Sequence, residues 1–197
     1  SRYPSRARRR LVRAVGQMDA VVGDLIDQKR SQLAAGATGG RDMMTLLMTA
    51  VDPETGAHLT DDELRDEILT LILAGHETTA MLLSWTWLLL FQNPDIKEWV
   101  AQEWDAAPAS LDVNAVKNLP RTRAVLAESL RLRPPAWLID RVMLEQQEFA
   151  GYVVPQGAVV LGSQHTMHRD PRFWPDAPAF RPDRWIDESG EYTEKIV

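Results

Sequence analysis

Residues 60–91 read TDDELRDEILTLILAGHETTAMLLSWTWLLLF, and the period of this stretch decides the fold. Thr60 and Glu63 are spaced as a capping box, and Asp61 and Asp62 place negative charge where a helix dipole favours it. Leu64, Ile68, Leu71, Gly75, Thr78, Leu82, Trp85 and Leu89 recur at steps of four and three, which is one face of a helix. Asn93-Pro94 ends the pattern, because a residue before proline is pushed out of the helical region. About thirty residues at roughly 1.5 Å each give a helix of about 45 Å, enough to cross a whole domain. The stretch predicts a central helix.

The middle of that helix departs from its flanks. Gly75 costs about 1 kcal/mol relative to alanine in a helix interior, and it lies on the apolar stripe. Thr78 sets a hydroxyl on the same stripe, Thr79 adds a second, and Glu77 adds a carboxylate. Two readings stand. One is a kinked core helix whose threonines bond back to carbonyls one turn earlier. The other is a notch where glycine lets a flat ligand approach the backbone, beneath an acid and a hydroxyl.

The 197 residues suit one domain or a piece of a larger one. A hydrophobic share of 45% with 25% charged residues is ordinary for a soluble globular chain. A net charge of −6 and a pI near 5.2 argue against nucleic acid as a partner. Six arginines nonetheless crowd between Arg2 and Arg13, as a solvated helix face or as a docking site for phosphate or a partner. There is no cysteine, hence no disulfide and no sign of secretion. No signal peptide opens the sequence, and the longest apolar run, Met81 to Phe91, is too short to span a bilayer. These features predict a soluble, cytoplasmic protein without a membrane span.

In chain order, Arg9 to Leu33 reads as an amphipathic helix with Leu11, Val15, Met18, Val22, Leu25 and Ile26 on one side. Gly36 to Gly40 is a loop of small residues, Asp42 opens a short helix from Met43 to Ala50, and Asp52 to Gly56 is a turn. After the central helix, Pro94 starts a helix through Asp105 whose Trp99 and Trp104 are expected in the core. A loose connection, Ala106 to Pro120, leads to a helix from Arg121 to Arg133, closed by Pro134-Pro135. Trp137 to Met143, Gly151 to Val154 and Ala158 to Gly162 read as strands, the last two joined as a hairpin across Pro155-Gln156-Gly157. From Arg169 the chain is an extended meander rich in proline and aromatic residues, too aromatic to be a disordered tail. The fold class is mainly α with a small β-sheet.

Glu128 and Arg131 lie three apart on one helix and share a face. Leu126 and Leu130 beside them suggest partial burial, where the pair needs further partners. Arg184, in the rigid turn from Phe180 to Trp185, can bring a second guanidinium to the carboxylate. His76-Glu77 does not complete the zinc-protease helix motif, since position 80 is Ala80. His165 and His168 lack the carboxylate or cysteine neighbours a metal site needs and read as structural histidines. The glycine patterns of dinucleotide and phosphate loops are absent. Trp85, Trp87, Trp137 and Trp174 read as packing residues.

The order of these pieces resembles the cytochrome P450 family of haem-thiolate monooxygenases, of the soluble bacterial kind. Three motifs carry the resemblance: Ala74-Gly75-His76-Glu77-Thr78-Thr79, Glu128-Ser129-Leu130-Arg131, and Phe180-Arg181-Pro182-Asp183-Arg184-Trp185. Leu132-Arg133-Pro134-Pro135, Gly151 to Gly157 and His168-Arg169-Asp170-Pro171 match between them, so the likeness covers the chain from about Leu11. It implies a partial cytochrome P450 fold over residues 1–197, with helices over about 9–133 and a small sheet and meander over about 136–197. The cofactor implied is haem b, iron protoporphyrin IX. Glu77 and Thr78 would relay protons toward the site of oxygen activation. Ala74 and Gly75 would lie against the haem, and Arg141 would pair with a propionate. Glu128, Arg131 and Arg184 would form a buried structural triad. Leu71, Pro135, Ala136, Trp137, Leu138 and Ile139 would line a pocket for a small apolar organic substrate. Oxygen and an electron-donating reductase or ferredoxin complete the expected partners.

The family holds its iron by a cysteine thiolate in a glycine-rich loop after the last motif, and no cysteine is present here. The family's early helices also lack a counterpart. The resemblance therefore implies an internal fragment with no metal ligand of its own, inactive by itself. The alternative is a helical scaffold descended from the family that does not bind haem.

Overall fold

The computed structural model describes residues 5–36, 42–108, 110 and 115–194. They form two compact units that divide between Glu77 and Thr78, and each is taken in turn.

The first unit is helical. Helix α1 (Arg6–Ala34) begins at Ser5, whose Oγ accepts from the Arg8 amide at 3.2 Å. Helix α2 (Met43–Thr49) begins at Asp42, which accepts from the Thr45 amide at 2.9 Å. The start of α3 (Asp61–Gln92) is the capping box read from the sequence: Thr60 N donates to Glu63 Oε2 at 2.9 Å and Glu63 N to Thr60 Oγ1 at 3.3 Å. Val22 and Ile26 of α1 bury against Leu64 and Ile68 of α3, with Met44, Leu47 and Met48 of α2 packed on the cluster. Charges lace its edge: Lys29 to Asp42 at 2.6 Å, Arg30 to Asp61, and Arg65 to Asp19 at 4.0 Å. Lys29 and the Thr45 amide hold the Asp42 carboxyl down to about 2. The small-residue loop expected over Gly36 to Gly40 lies largely outside the described residues.

The second unit starts with the later half of α3. Thr86 Oγ1 donates back to the Leu82 carbonyl at 2.8 Å, and Asn93 Nδ2 donates to the Leu89 carbonyl at 2.8 Å where the helix closes. Helices α4 (Pro94–Ala106) and α5 (Pro120–Leu132) follow, each with proline in its first turn. Leu89, Leu90, Val100, Val125, Leu132 and Phe180 form one core cluster, and Ala124, Trp174, Ala177 and Trp185 form another. Trp99 packs against both. Trp104, expected in the core, is exposed, and donates from Nε1 to Thr122 Oγ1 at 2.9 Å. Five helical positions separate the two tryptophans, about 140° of rotation, so both cannot face one core.

The β structure is two ribbons. Strand β1 (Ile139–Val142) pairs antiparallel with β4 (Val159–Gly162), and β2 (Gln147–Phe149) pairs with β3 (Tyr152–Val154). The hairpin expected between β3 and β4 is therefore not formed. The turn that closes a hairpin is Ala150-Gly151, with φ of 50° and 83°. Positive φ at both central residues gives the twist that matches paired strands. Pro155 to Gly157 instead links the ribbons, where Gly157 N donates to the Met143 carbonyl at 2.9 Å. Helix α6 (Gln164–Met167) and a 3-10 turn (Pro182–Trp185) punctuate the meander.

Leu119 at the head of α5 has no side chain that can cap it. Glu103 of α4 supplies the cap, accepting from Arg121 N at 2.8 Å, Thr122 N at 2.9 Å and Thr122 Oγ1 at 2.6 Å. It satisfies free amides and sets an anion on the helix dipole. Glu103→Ala should lower the unfolding free energy of the full-length chain by about 1 kcal/mol, as for other lost caps, measured by urea titration.

Candidate haem-facing helix and buried ion cluster

The notch of α3 lies in the open. All residues from Leu71 to Met81 are exposed, between buried positions at Leu64 and Ile68 on one side and Thr86, Leu89 and Leu90 on the other. A Cβ built on Gly75 meets nothing within 4 Å, so no neighbour among the described residues demands glycine there. By helical spacing Gly75, Thr78 and Thr79 share a face, whereas Glu77 sits about 100° away from Thr78. Its carboxylate joins that face only by extending its side chain. Glu77 ends the first unit and Thr78 begins the second.

Arg141 lies on exposed β1, and its guanidinium donates to the Asp140 carbonyl at 2.7 Å. Among the described residues no carboxylate pairs with it. Of the expected substrate-pocket residues, Leu71 lines an apolar hollow of about 350 Å³ in the first unit, with Leu25, Met43, Met44, Leu47, Ile68 and Ile72. Pro135, Ala136, Trp137, Leu138 and Ile139 belong to the second unit, where Trp137 is 57% exposed and its carbonyl accepts from His165 N at 3.4 Å. No cluster of three or more histidine, cysteine, aspartate or glutamate side chains among the described residues could hold a metal ion.

Glu128, Arg131 and Arg184 meet in the second unit. Glu128 is 0% exposed and Arg131 2%. Glu128 Oε1 accepts from Arg131 Nη2 at 2.7 Å, Arg184 Nε at 3.2 Å and Arg181 N at 2.9 Å. Oε2 accepts from Arg131 Nε at 2.8 Å and Trp185 Nε1 at 2.9 Å. Arg131 continues outward, with Nη1 donating to the carbonyls of His168 at 2.6 Å and Ala177 at 2.8 Å, and Nη2 to Ala179 at 3.0 Å. Trp185, Arg181 and the three carbonyls are partners that sequence reasoning missed. Backbone acceptors carry no side-chain signature, but a tryptophan next to Arg184 was a visible donor. Arg131 and Arg184 also lie over the Trp174 ring, 5.1 and 5.9 Å from its centroid.

His168 stands edge-on to Trp174 at 6.2 Å, and its Nδ1 is buried without a partner. Burial pushes its pKa down, and the charges of Arg131 and Arg169 add to that effect. His165 is lowered as well, by burial and then by Arg169 and Arg133.

Long-helix architecture, two antiparallel ribbons and this ion cluster define a mainly helical scaffold with a small antiparallel β component. The family profile described as Cytochrome P450 matches residues 1–196, and the chain belongs to that family, whose members carry haem. It is 38% identical over 194 residues to Cyclooctatin synthase of Streptomyces melanosporofaciens, covering 95% of this chain and 41% of that protein. It is 34% identical to Cyclooctat-9-en-7-ol 5-monooxygenase of the same organism, covering 98% of this chain and 42% of that one. The solved structure of retinoic acid bound cyanobacterial CYP120A1 superposes with a TM-score of 0.80 at 33% identity, over 89% of this chain and 40% of that chain. The chain thus spans about two fifths of the length of these relatives.

Two outcomes test the ion cluster. Arg131→Met strands a buried carboxylate and should cost about 3–5 kcal/mol, whereas Arg65→Met, on the rim of the first unit, should cost under about 1 kcal/mol; denaturant unfolding of full-length variants separates them. The lowered pKa of His168 means that below its ordinary value of 6.5 the unfolded chain binds the proton first. Stability should fall as pH drops below about 6.5, and His168→Gln should flatten that slope.

Proposed function

We propose that these residues are one partial domain of a haem-dependent monooxygenase that inserts one atom of O2 into a small apolar organic substrate. The observation that carries this reading is the exposed Ala74–Thr79 notch of α3, with open space at Gly75, in a chain of the cytochrome P450 family. The residues present fit haem: a glycine face onto which a flat macrocycle can settle, and Arg141 with no carboxylate partner among the described residues.

Ala74 and Gly75 would bring the α3 backbone close to the macrocycle. Arg141 would pair with a propionate through a charge-assisted bond. When bound, haem with a thiolate ligand supplies the oxygen-activating chemistry, and the thiolate must come from outside these 197 residues, which hold no cysteine. Thr78 would hold a proton donor at the oxygen-binding side, and Glu77 would replenish it. Leu71 and residues 135–139 would supply apolar walls. The name of the Streptomyces relative, Cyclooctat-9-en-7-ol 5-monooxygenase, supports a largely hydrocarbon alcohol as the substrate class. Electrons would come from a ferredoxin or reductase.

A cytoplasmic location is part of this reading. Helix α3 is long and apolar enough, by length and composition alone, to cross a membrane, as core helices of soluble proteins also are. The soluble reading is supported by the bacterial relatives.

The test uses the full-length protein with haem, an electron donor, a small apolar organic substrate such as a hydrocarbon alcohol, and isotope-labelled O2. One labelled oxygen should appear in product, and Thr78→Val should lower product formation about 100-fold while haem binding persists. A full-length chain that takes up no haem would be the scaffold instead.

A further inference from the structure

We propose that the first two turns of α1 form a docking site for phosphate groups. Arg6, Arg9, Arg10 and Arg13 line a shallow hollow of about 250 Å³. At about 100° per residue these four fall within an arc of about 100°, opposite Val22 and Ile26, the positions that α1 buries. From Arg6 to Arg13 the rise is about 10 Å, so the guanidinium groups crowd together. Every residue from Ser5 to Gln17 is exposed.

Nothing in the described residues neutralises this arc. No acid occurs from Ser5 to Met18, and every ion pair lies elsewhere. Asp19, the first acid on the helix, faces Arg65 at 4.0 Å. Like charges at three- and four-residue spacing repel, and cations at a helix N-terminus oppose its dipole. The arrangement is unfavourable for the free helix and favourable once an anion bridges the side chains.

The chemistry singles out phosphate. All the basic groups here are arginines, whose planar fork meets phosphate oxygens two at a time. A diphosphate or a headgroup concentrates its charge in one body small enough for the hollow. Nucleic acid fits less well, because the chain carries a net −6 and no aromatic side chain interleaves the arginines. The helix-end amides do not carry the site, since Ser5 Oγ already caps Arg8 N.

The test compares the full-length protein with an Arg9→Gln/Arg13→Gln variant, both checked for the same circular dichroism. Calorimetry with inorganic pyrophosphate probes soluble phosphate. Flotation with phosphatidylcholine vesicles, with and without phosphatidylglycerol, probes headgroups. Binding in either arm that weakens about tenfold or more in the variant, a loss of about 1.4 kcal/mol, and weakens with salt supports the site. Binding only to anionic vesicles assigns it to headgroups, and binding only to pyrophosphate to a soluble phosphate ester. No binding in either arm, or binding that the variant retains in full, overturns it.

Discussion

The second unit depends on one buried carboxylate. Glu128 has no solvent to stabilise its charge, so each of its oxygens must find donors within the fold, and five hydrogen bonds reach it. Those donors come from α5 itself and from a chain segment more than fifty residues later. The ion pair, three residues apart, is local to one face of α5, and Arg131 presents its remaining N–H groups outward. The meander answers with the carbonyls of His168, Ala177 and Ala179. A segment with little regular structure thereby acquires a fixed path. Lysine at position 131 could not do this, because its ammonium lacks the planar fork that serves five acceptors at once.

Sequence made some of this plain and hid the rest for definable reasons. The capping box at Thr60 and Glu63, the proline-led helices and the long period of α3 are local signals, and local hydrogen bonds satisfied them. The strands were harder. Four residues of apolar character do not say which partner they choose, and the deciding turn was Ala150-Gly151, where an alanine at positive φ carries no compositional warning. Proline drew attention to Pro155 to Gly157 instead. Glu103 was equally silent: a carboxylate on one helix that caps another is a tertiary event, visible only once α4 and α5 lie side by side.

The notch illustrates a different limit. Periodicity marks Gly75 and Thr78 as belonging to an inward face, because they fall in register with Leu64, Ile68 and Leu89. In the structure that register is buried at its ends and exposed in its middle. The stripe stays apolar through Leu71 and Leu82, and its centre is exposed among the described residues. Glycine at the centre of that stripe weakens the helix, and no neighbour among the described residues needs the missing Cβ. Packing among the described residues therefore does not account for it, which is the observation behind the proposed approach of a flat group.

Charge follows the same logic at the other sites of the chain. Arg131 is matched by acceptors on every side and serves the fold. Arg141, with one backbone carbonyl, and Arg6, Arg9, Arg10 and Arg13 of α1 have no carboxylate partner among the described residues, whereas Arg30 of the same helix pairs with Asp61. A cation that the fold neutralises is structural, and one that the fold leaves exposed on a rigid element is available to a ligand. On that criterion Arg131 and Arg184 hold the meander, Arg30 and Arg65 are matched by acids of the first unit, and Arg141 and the arginines at the head of α1 remain exposed.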